Sequence, residues 1–163
     1  MPQPPTEPAY SAVVASPVGP LGIVTAGGAV TDLDFLPARH PLQAASGALA
    51  ATAARQLARY FDDPEAPFEL PLHERGTPFQ RRVWAALRAI PCGQVRSYGA
   101  LAAALGSGPR AVGGACRANP VVIVTPCHRV IAAGGRLGGF AGASAGAPLD
   151  CKRWLLAHEA GAR

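Results

Sequence analysis

Three short runs of alternating apolar residues, each closed by glycine or proline, precede any helical pattern and commit the start of the chain to a sheet. They are Tyr10-Ser11-Ala12-Val13-Val14-Ala15, Leu21-Gly22-Ile23-Val24-Thr25 and Val30-Thr31-Asp32-Leu33-Asp34-Phe35. Side chains of a strand alternate between faces, so this period buries one side and wets the other. Pro17-Val18-Gly19-Pro20 and Gly27-Gly28 supply the turns, which predicts a small antiparallel meander. From Ala44 to Phe61 the pattern changes: Leu49, Ala53, Leu57, Tyr60 and Phe61 recur at helical spacing. Asp62-Asp63-Pro64 stops that helix, and Pro64, Pro67 and Pro71 make the stretch up to His73 an extended crossing.

Beyond the crossing the pattern is mostly helical. Thr77 suits an N-cap, Pro78 suits the first helical position, and Phe79, Val83, Trp84 and Leu87 form an apolar face. After a turn at Pro91-Cys92-Gly93 come two short helices, Tyr98 to Leu105 and Pro109 to about Arg117. The glycine turn Gly106-Ser107-Gly108 joins them in a helix-turn-helix pattern. Val121 to Val124 reads as a strand ending at Pro126-Cys127, and Gly134-Gly135 through Ala147 reads as a glycine-rich loop. Asp150 to Glu159 closes the chain as a helix packed through Trp154, Leu155 and Leu156. The expected class is α+β, in three parts. A proline-rich disordered leader spans residues 1–9, an N-terminal α/β domain 10–72, and a mostly helical C-terminal domain 73–163.

With 49% of its 163 residues apolar, the chain can bury a core and is not disordered throughout. It has no apolar run approaching the roughly 18 residues of a membrane span. Its start, Met1-Pro2-Gln3-Pro4-Pro5, lacks the basic and apolar regions of an export signal, which points to the cytoplasm. The net charge of +5 is unevenly placed. Residues 1–72 carry three arginines against seven acids, whereas residues 73–163 carry twelve Lys and Arg against three acids. A polyanion is the natural partner of the second half, although arginine also serves as the solubilising residue of an Arg- and Ala-rich chain. Cys92, Cys116, Cys127 and Cys151 form no C-x-x-C pair, so neither a structural zinc site nor a disulfide framework is expected.

Cys127 stands apart because of its neighbours Pro126, His128 and Arg129. A thiol reacts as its thiolate, which positive charge or a proton-accepting imidazole favours. Adjacent residues need not face each other, so the dipeptide alone favours a buried structural cysteine beside a surface histidine. The surrounding run, Asn119-Pro120-Val121-Val122-Ile123-Val124-Thr125-Pro126-Cys127-His128-Arg129-Val130, resembles the active-site signature of the O6-alkylguanine-DNA alkyltransferases, also called methylated-DNA–protein-cysteine methyltransferases. Gly76-Thr77-Pro78-Phe79-Gln80-Arg81-Arg82-Val83-Trp84, Ile90-Pro91-Cys92-Gly93, Ser97-Tyr98, Arg110-Ala111-Val112-Gly113-Gly114-Ala115 and Trp154-Leu155-Leu156-Ala157-His158-Glu159 follow the family's order. The match is dense over the second half and loose over the first.

The resemblance implies a ribonuclease H-like first domain and a winged-helix-like helix-turn-helix in the second. It implies irreversible transfer of an alkyl group from O6-alkylguanine, and from O4-alkylthymine, to Cys127, once per molecule. His128 resembles the base that acts on the thiol through a water, Glu159 the carboxylate that holds the imidazole, and Asn119 the brace of the active-site turn. Tyr98 resembles the residue that donates to the base and helps to turn it out of the duplex. Arg110 matches an arginine that fills the vacated stack. Ala111, Gly113, Gly114 and Arg117 on its helix, with Tyr98 and Arg129, complete the DNA-binding set, a small-residue surface suited to the minor groove. Cys116, Val130, Phe140, Ala141 and Gly142 line the implied pocket. Phe140 stands where tyrosine is common and Ala141 where some members have serine, and the stretch before Lys152 is longer than usual. Read without the family, Glu159 is better taken as a helix-end surface acid and Arg110 as a phosphate-binding or solvated arginine, Tyr98 could be a packing aromatic, and Asn119-Pro120 is equally a plain turn and Lys152 equally a surface residue. The implied partner is double-stranded DNA, with no obligate protein partner, no metal or other cofactor, and a monomer as the acting form. The rivals are a lesion-binding relative without transfer, which the presence of Cys127 disfavours, a helix-turn-helix sensor, and a cysteine hydrolase.

Overall fold

The computed structural model describes residues 9–139 and 147–161. Strands β1 (Ala12–Val14), β2 (Leu21–Ala26) and β3 (Ala29–Phe35) form one antiparallel sheet in that order. Gly27 and Gly28 both take positive φ, 59° and 78°. A two-residue hairpin needs that geometry to match the twist of its strands, and Ala26 pairs with Ala29 across it. Ala12, Leu21, Ile23, Val30 and Leu33 are buried in a core shared with Ala50, Ala53, Leu57 and Tyr60 of helix α1 (Ala48–Asp62). Helix α1 starts later than the apolar spacing from Ala44 predicts. Gln43 pairs with Val13, and the Ser46 N–H donates to the Ser11 carbonyl at 2.7 Å. That segment therefore satisfies its backbone on the edge of β1 and not in a helical turn.

The run Val121–Val124 corrects an expectation: it is a tight turn, not a strand. The Leu33 N–H donates to Pro120 O at 2.9 Å and the Val122 N–H donates to Leu33 O at 3.2 Å, which docks the turn on β3. The Val124 N–H then folds back to Val122 O at 2.8 Å across Ile123, whose φ is 71°. A β-branched residue in that region costs on the order of 1–3 kcal/mol. Burial of Val121 and Ile123 in the core beneath the sheet offsets it, so the second half of the chain helps to build the first core.

Helix α2 (Pro78–Arg88) begins as its sequence dictates. Thr77 Oγ1 accepts from the Gln80 N–H at 3.1 Å, and Gln80 Oε1 accepts from the Thr77 N–H at 3.0 Å, a reciprocal capping box. Its Trp84 indole donates to Ala115 O at 2.8 Å and so ties α2 to the helix pair α3 (Tyr98–Ala104) and α4 (Pro109–Arg117). Val83, Trp84, Leu87, Leu101, Val112 and Ala115 form the second core, with Cys127 and Val130 among them. Strand β4 (Arg96–Ser97) pairs in parallel with β5 (Val130–Ile131), which brings the start of α3 beside the turn Cys127–Arg129. Helix α5 (Ala147–Ala160) returns across both halves. No helix among the described residues is long and apolar enough to cross a membrane.

Candidate active site

Cys127 sits where a chain reversal is locked from both sides. Pro126 (φ −84°, ψ 69°) closes a γ-turn in which the Cys127 N–H donates to Thr125 O at 2.9 Å. Asn119 Nδ2 donates to the same carbonyl at 2.8 Å, and its Oδ1 accepts the Val121 N–H at 3.0 Å. Arg88 Nη1 adds a bond to Thr125 Oγ1 at 2.9 Å. The turn is therefore held by side chains from α2 and from Asn119, two residues beyond α4. Burial pushes the Cys127 thiol up, while the Asn119 amide, the Lys152 charge and the thiol's own backbone N–H draw it partly back. A thiol in that state needs a base in order to react.

An imidazole stands next in sequence. His128 is fully buried, and its Nε2 meets Glu159 Oε2 at 2.7 Å. Glu159 is ionised, so Nε2 carries the proton and Nδ1 is the basic nitrogen of the neutral ring. Nδ1 has no hydrogen-bond partner among the described residues. Burial holds the His128 pKa low against the pull of Glu159, which keeps the ring neutral and able to accept a proton. Glu159 is also enclosed by donors. Arg129 Nε reaches Oε1 at 2.8 Å and Arg129 Nη2 reaches Oε2 at 3.0 Å. Tyr60 Oη, from α1, donates to Oε2 at 2.7 Å. Burial alone would raise the carboxyl, but His128 and Arg129 outweigh it and hold its pKa at about 2.

Lys152 closes the other side. Its side chain is 0% exposed, and Nζ donates to Val130 O at 2.7 Å and to Gly139 O at 3.1 Å. Burial lowers its pKa to about 8, partly restored by Cys127 and Cys116. The ammonium lies 5.9 Å from the centre of the Tyr98 ring. Tyr98 is half-buried, its hydroxyl donates to Gly139 O at 3.4 Å, and burial pushes its pKa up to about 12. On α4, Arg110, Ala111, Gly114 and Arg117 are exposed at helical spacing, while Val112, Ala115 and Cys116 face inward. A Cβ added at Gly113 or Gly114 would meet nothing within 4 Å, so this surface is open to a close approach. A cavity of about 400 Å³ between β3 and α4, lined by Phe35, Leu36, Cys116 and Asn119 among others, reaches Cys127.

Residues 78–161 match the family of the 6-O-methylguanine DNA methyltransferase DNA-binding domain. Over 153 residues the chain is 43% identical to the methylated-DNA–protein-cysteine methyltransferase of Mycobacterium tuberculosis (strain ATCC 25618 / H37Rv), covering 90% of this chain and 89% of that protein. The chain belongs to the methylated-DNA–protein-cysteine methyltransferase family. The match to the Salmonella typhimurium member is 60% identical over 86 residues, 52% of this chain and 47% of that protein, so the chain spans about half the length of that relative. The crystal structure of the Mycobacterium tuberculosis O6-methylguanine methyltransferase superposes with a TM-score of 0.80 at 37% identity, over 95% of each chain. A structure from the same organism in complex with DNA gives 0.78 at 40% identity, over 92% of each.

Within this family frame, the fold brings Cys127, His128, Glu159, Asn119 and Tyr98 into one neighbourhood, with Val130 and Cys116 beside them. Arg110, Ala111, Gly113, Gly114 and Arg117 share α4. Arg129 departs from its expected place on the DNA surface. Its side chain is 12% exposed, and the guanidinium turns inward on Glu159 and on Ile90 O, the latter at 2.6 Å. Lys152, which reads as a surface lysine without the family, is an interior donor. Phe140, Ala141 and Gly142, with most of the longer stretch before Lys152, lie outside the described residues, as do residues 1–8 of the leader. Sequence reasoning missed Tyr60, which reads as one more apolar position of α1; its hydroxyl was the signal, because a buried tyrosine needs a partner.

Proposed function

We propose that this chain repairs DNA by moving the alkyl group of O6-alkylguanine, and of O4-alkylthymine, onto Cys127. The reading rests on the Cys127 thiol beside a buried His128–Glu159 pair, in a chain 43% identical along most of its length to a methylated-DNA–protein-cysteine methyltransferase. The thiol proton passes through a water to His128 Nδ1, and Glu159 stabilises the imidazolium that forms. Sulfur attacks the alkyl carbon in line, the carbon–O6 bond breaks, and its electron pair remains on guanine O6. The Tyr98 phenol keeps its proton at neutral pH and supplies the hydrogen bond that eases guanine's departure. No cofactor is needed, because the soft sulfur nucleophile and the proton relay suffice. The product is a thioether, so each molecule acts once.

The lesion must leave the duplex to reach Cys127. Arg110 takes the vacated place. Ala111, Gly113 and Gly114 let the α4 backbone approach the minor groove, and Arg117 meets phosphate. Val130, Cys116, Phe140, Ala141 and Gly142 form the pocket. Residues 10–72 constitute a ribonuclease H-like domain. Residues 73–163 constitute the DNA-binding and acceptor domain, with a winged-helix-like helix-turn-helix. The protein acts as a monomer on double-stranded DNA in the cytoplasm. Nucleoside analysis of duplex DNA carrying O6-methylguanine tests the reading: wild-type protein converts the lesion to guanine and Cys127→Ala does not. Persistence of the lesion with folded wild-type protein overturns it.

A further inference from the structure

The reaction outlined above uses Cys127, His128 and Glu159, yet the carboxylate they depend on is also held by a residue from the opposite half of the molecule. Tyr60 is buried in the first core, 99 positions from Glu159 in the chain, and its hydroxyl donates to Glu159 Oε2 at 2.7 Å. That is the same oxygen that accepts from His128 Nε2 at 2.7 Å. Oε2 thus serves two donors from two domains, with Arg129 Nη2 as a third at 3.0 Å.

We propose that Tyr60 is a positioning residue for the acceptor site, one that sets the proton affinity of His128 by sharing Oε2 of Glu159. This rests on the reading of His128 as the base. The physical argument is one of competition. A phenol that donates to a carboxylate oxygen draws off part of its negative charge, and less charge is left to stabilise a protonated imidazole. The hydroxyl therefore keeps His128 neutral to lower pH than the His128–Glu159 pair alone would allow. It also fixes the carboxylate's rotation, so that Oε1 remains with Arg129 Nε, 2.8 Å away. Other groups act on the same cluster without taking this place. Arg129, on the Cys127–Arg129 turn, and Lys152, on α5, both disfavour the imidazolium. Cys92, in the turn after α2, faces Tyr60 and Glu159, and its thiol is held up by burial and by Glu159, which keeps it uncharged.

Tyr60→Phe removes the donor and keeps the ring. The His128 imidazole, followed by NMR titration of the whole protein, should then take up its proton at a pH about one unit higher. The acid limb of the transfer rate should move with it, about tenfold slower on that limb and unchanged on the alkaline plateau. Replacing Tyr60 with a ring-fluorinated tyrosine, a more acidic and stronger donor, should shift both midpoints the other way. A cavity of about 440 Å³ is bordered by Tyr60, Cys92 and Arg129. Opposed shifts from the two variants support the inference, because loss of packing gives no reason for a change of sign. An unmoved His128 midpoint in the fluorinated protein overturns it, even if Tyr60→Phe does not fold, and so does a rate loss equal at every pH. If wild-type protein fails to alkylate Cys127, the reading of the reaction falls, while the NMR titration still decides the role of Tyr60.

Discussion

Replacing Glu159 with glutamine keeps the shape of the side chain and removes its charge, and the structure sets the size of the consequence. The carboxyl is 1% exposed, and its pKa falls from an ordinary 4.5 to about 2 because His128 and Arg129 overcome the cost of burial. A displacement of that size corresponds to about 3 kcal/mol of folding free energy at neutral pH. The folded-state pKa is depressed, so this stability is complete above the unfolded value and is lost as pH falls towards 2. By pH 3 about half should remain. Glutamine also turns an amide donor towards Arg129 and His128, leaving a nearly buried guanidinium without its anion. Urea unfolding followed by tryptophan fluorescence, with the buried Trp84 as reporter, should therefore show Glu159→Gln weaker by about 3 kcal/mol at pH 7. The gap between variant and wild type should close to about half at pH 3. Equal stability at pH 7, or a gap that stays constant down to pH 3, would show that the Glu159 charge does not stabilise the fold.

The other predictions follow from the rest of the site. Lys152→Met removes the donor to Val130 and Gly139; transfer should slow by at least about tenfold. Because burial depresses the Lys152 pKa to about 8, the wild type should gain stability as pH rises from 8 towards 10.5, and the variant should lack that rise in alkaline unfolding curves. Arg110→Ala should leave the melting temperature within about 2 °C, since the side chain is exposed. It should nonetheless slow repair of duplex DNA while sparing reaction with the free O6-methylguanine base, and equal loss on both substrates would count against its proposed role. Gly114→Val meets open space in the fold, so it should fold normally and bind duplex DNA more weakly in a fluorescence titration; unchanged binding would remove α4 from the interface.

What could be read from the sequence divides along physical lines. Helix α2 and the β2–β3 hairpin are legible because the deciding contacts lie within a few residues: Thr77 with Gln80, and Gly27 beside Gly28. The run Val121–Val124 misleads because its β-branched residues favour a strand locally, while docking on β3 and the reversal at Ile123 are settled by distant partners. The start of α1 misleads for the same reason, since Gln43 and Ser46 bond to β1. At the site, Cys127 and His128 announce themselves as neighbours. The inward turn of Arg129, the burial of Lys152 and the reach of Tyr60 to Glu159 are products of tertiary packing, which no local pattern encodes.

Cys127 should accept one alkyl group and keep it. Intact-protein mass spectrometry, with peptide mapping, after incubation with excess O6-methylguanine duplex tests this most directly. One added methyl is expected per molecule, located on Cys127, with no further turnover once it is in place. An unmodified Cys127 in folded protein, or release of several repaired guanines per molecule, would contradict it.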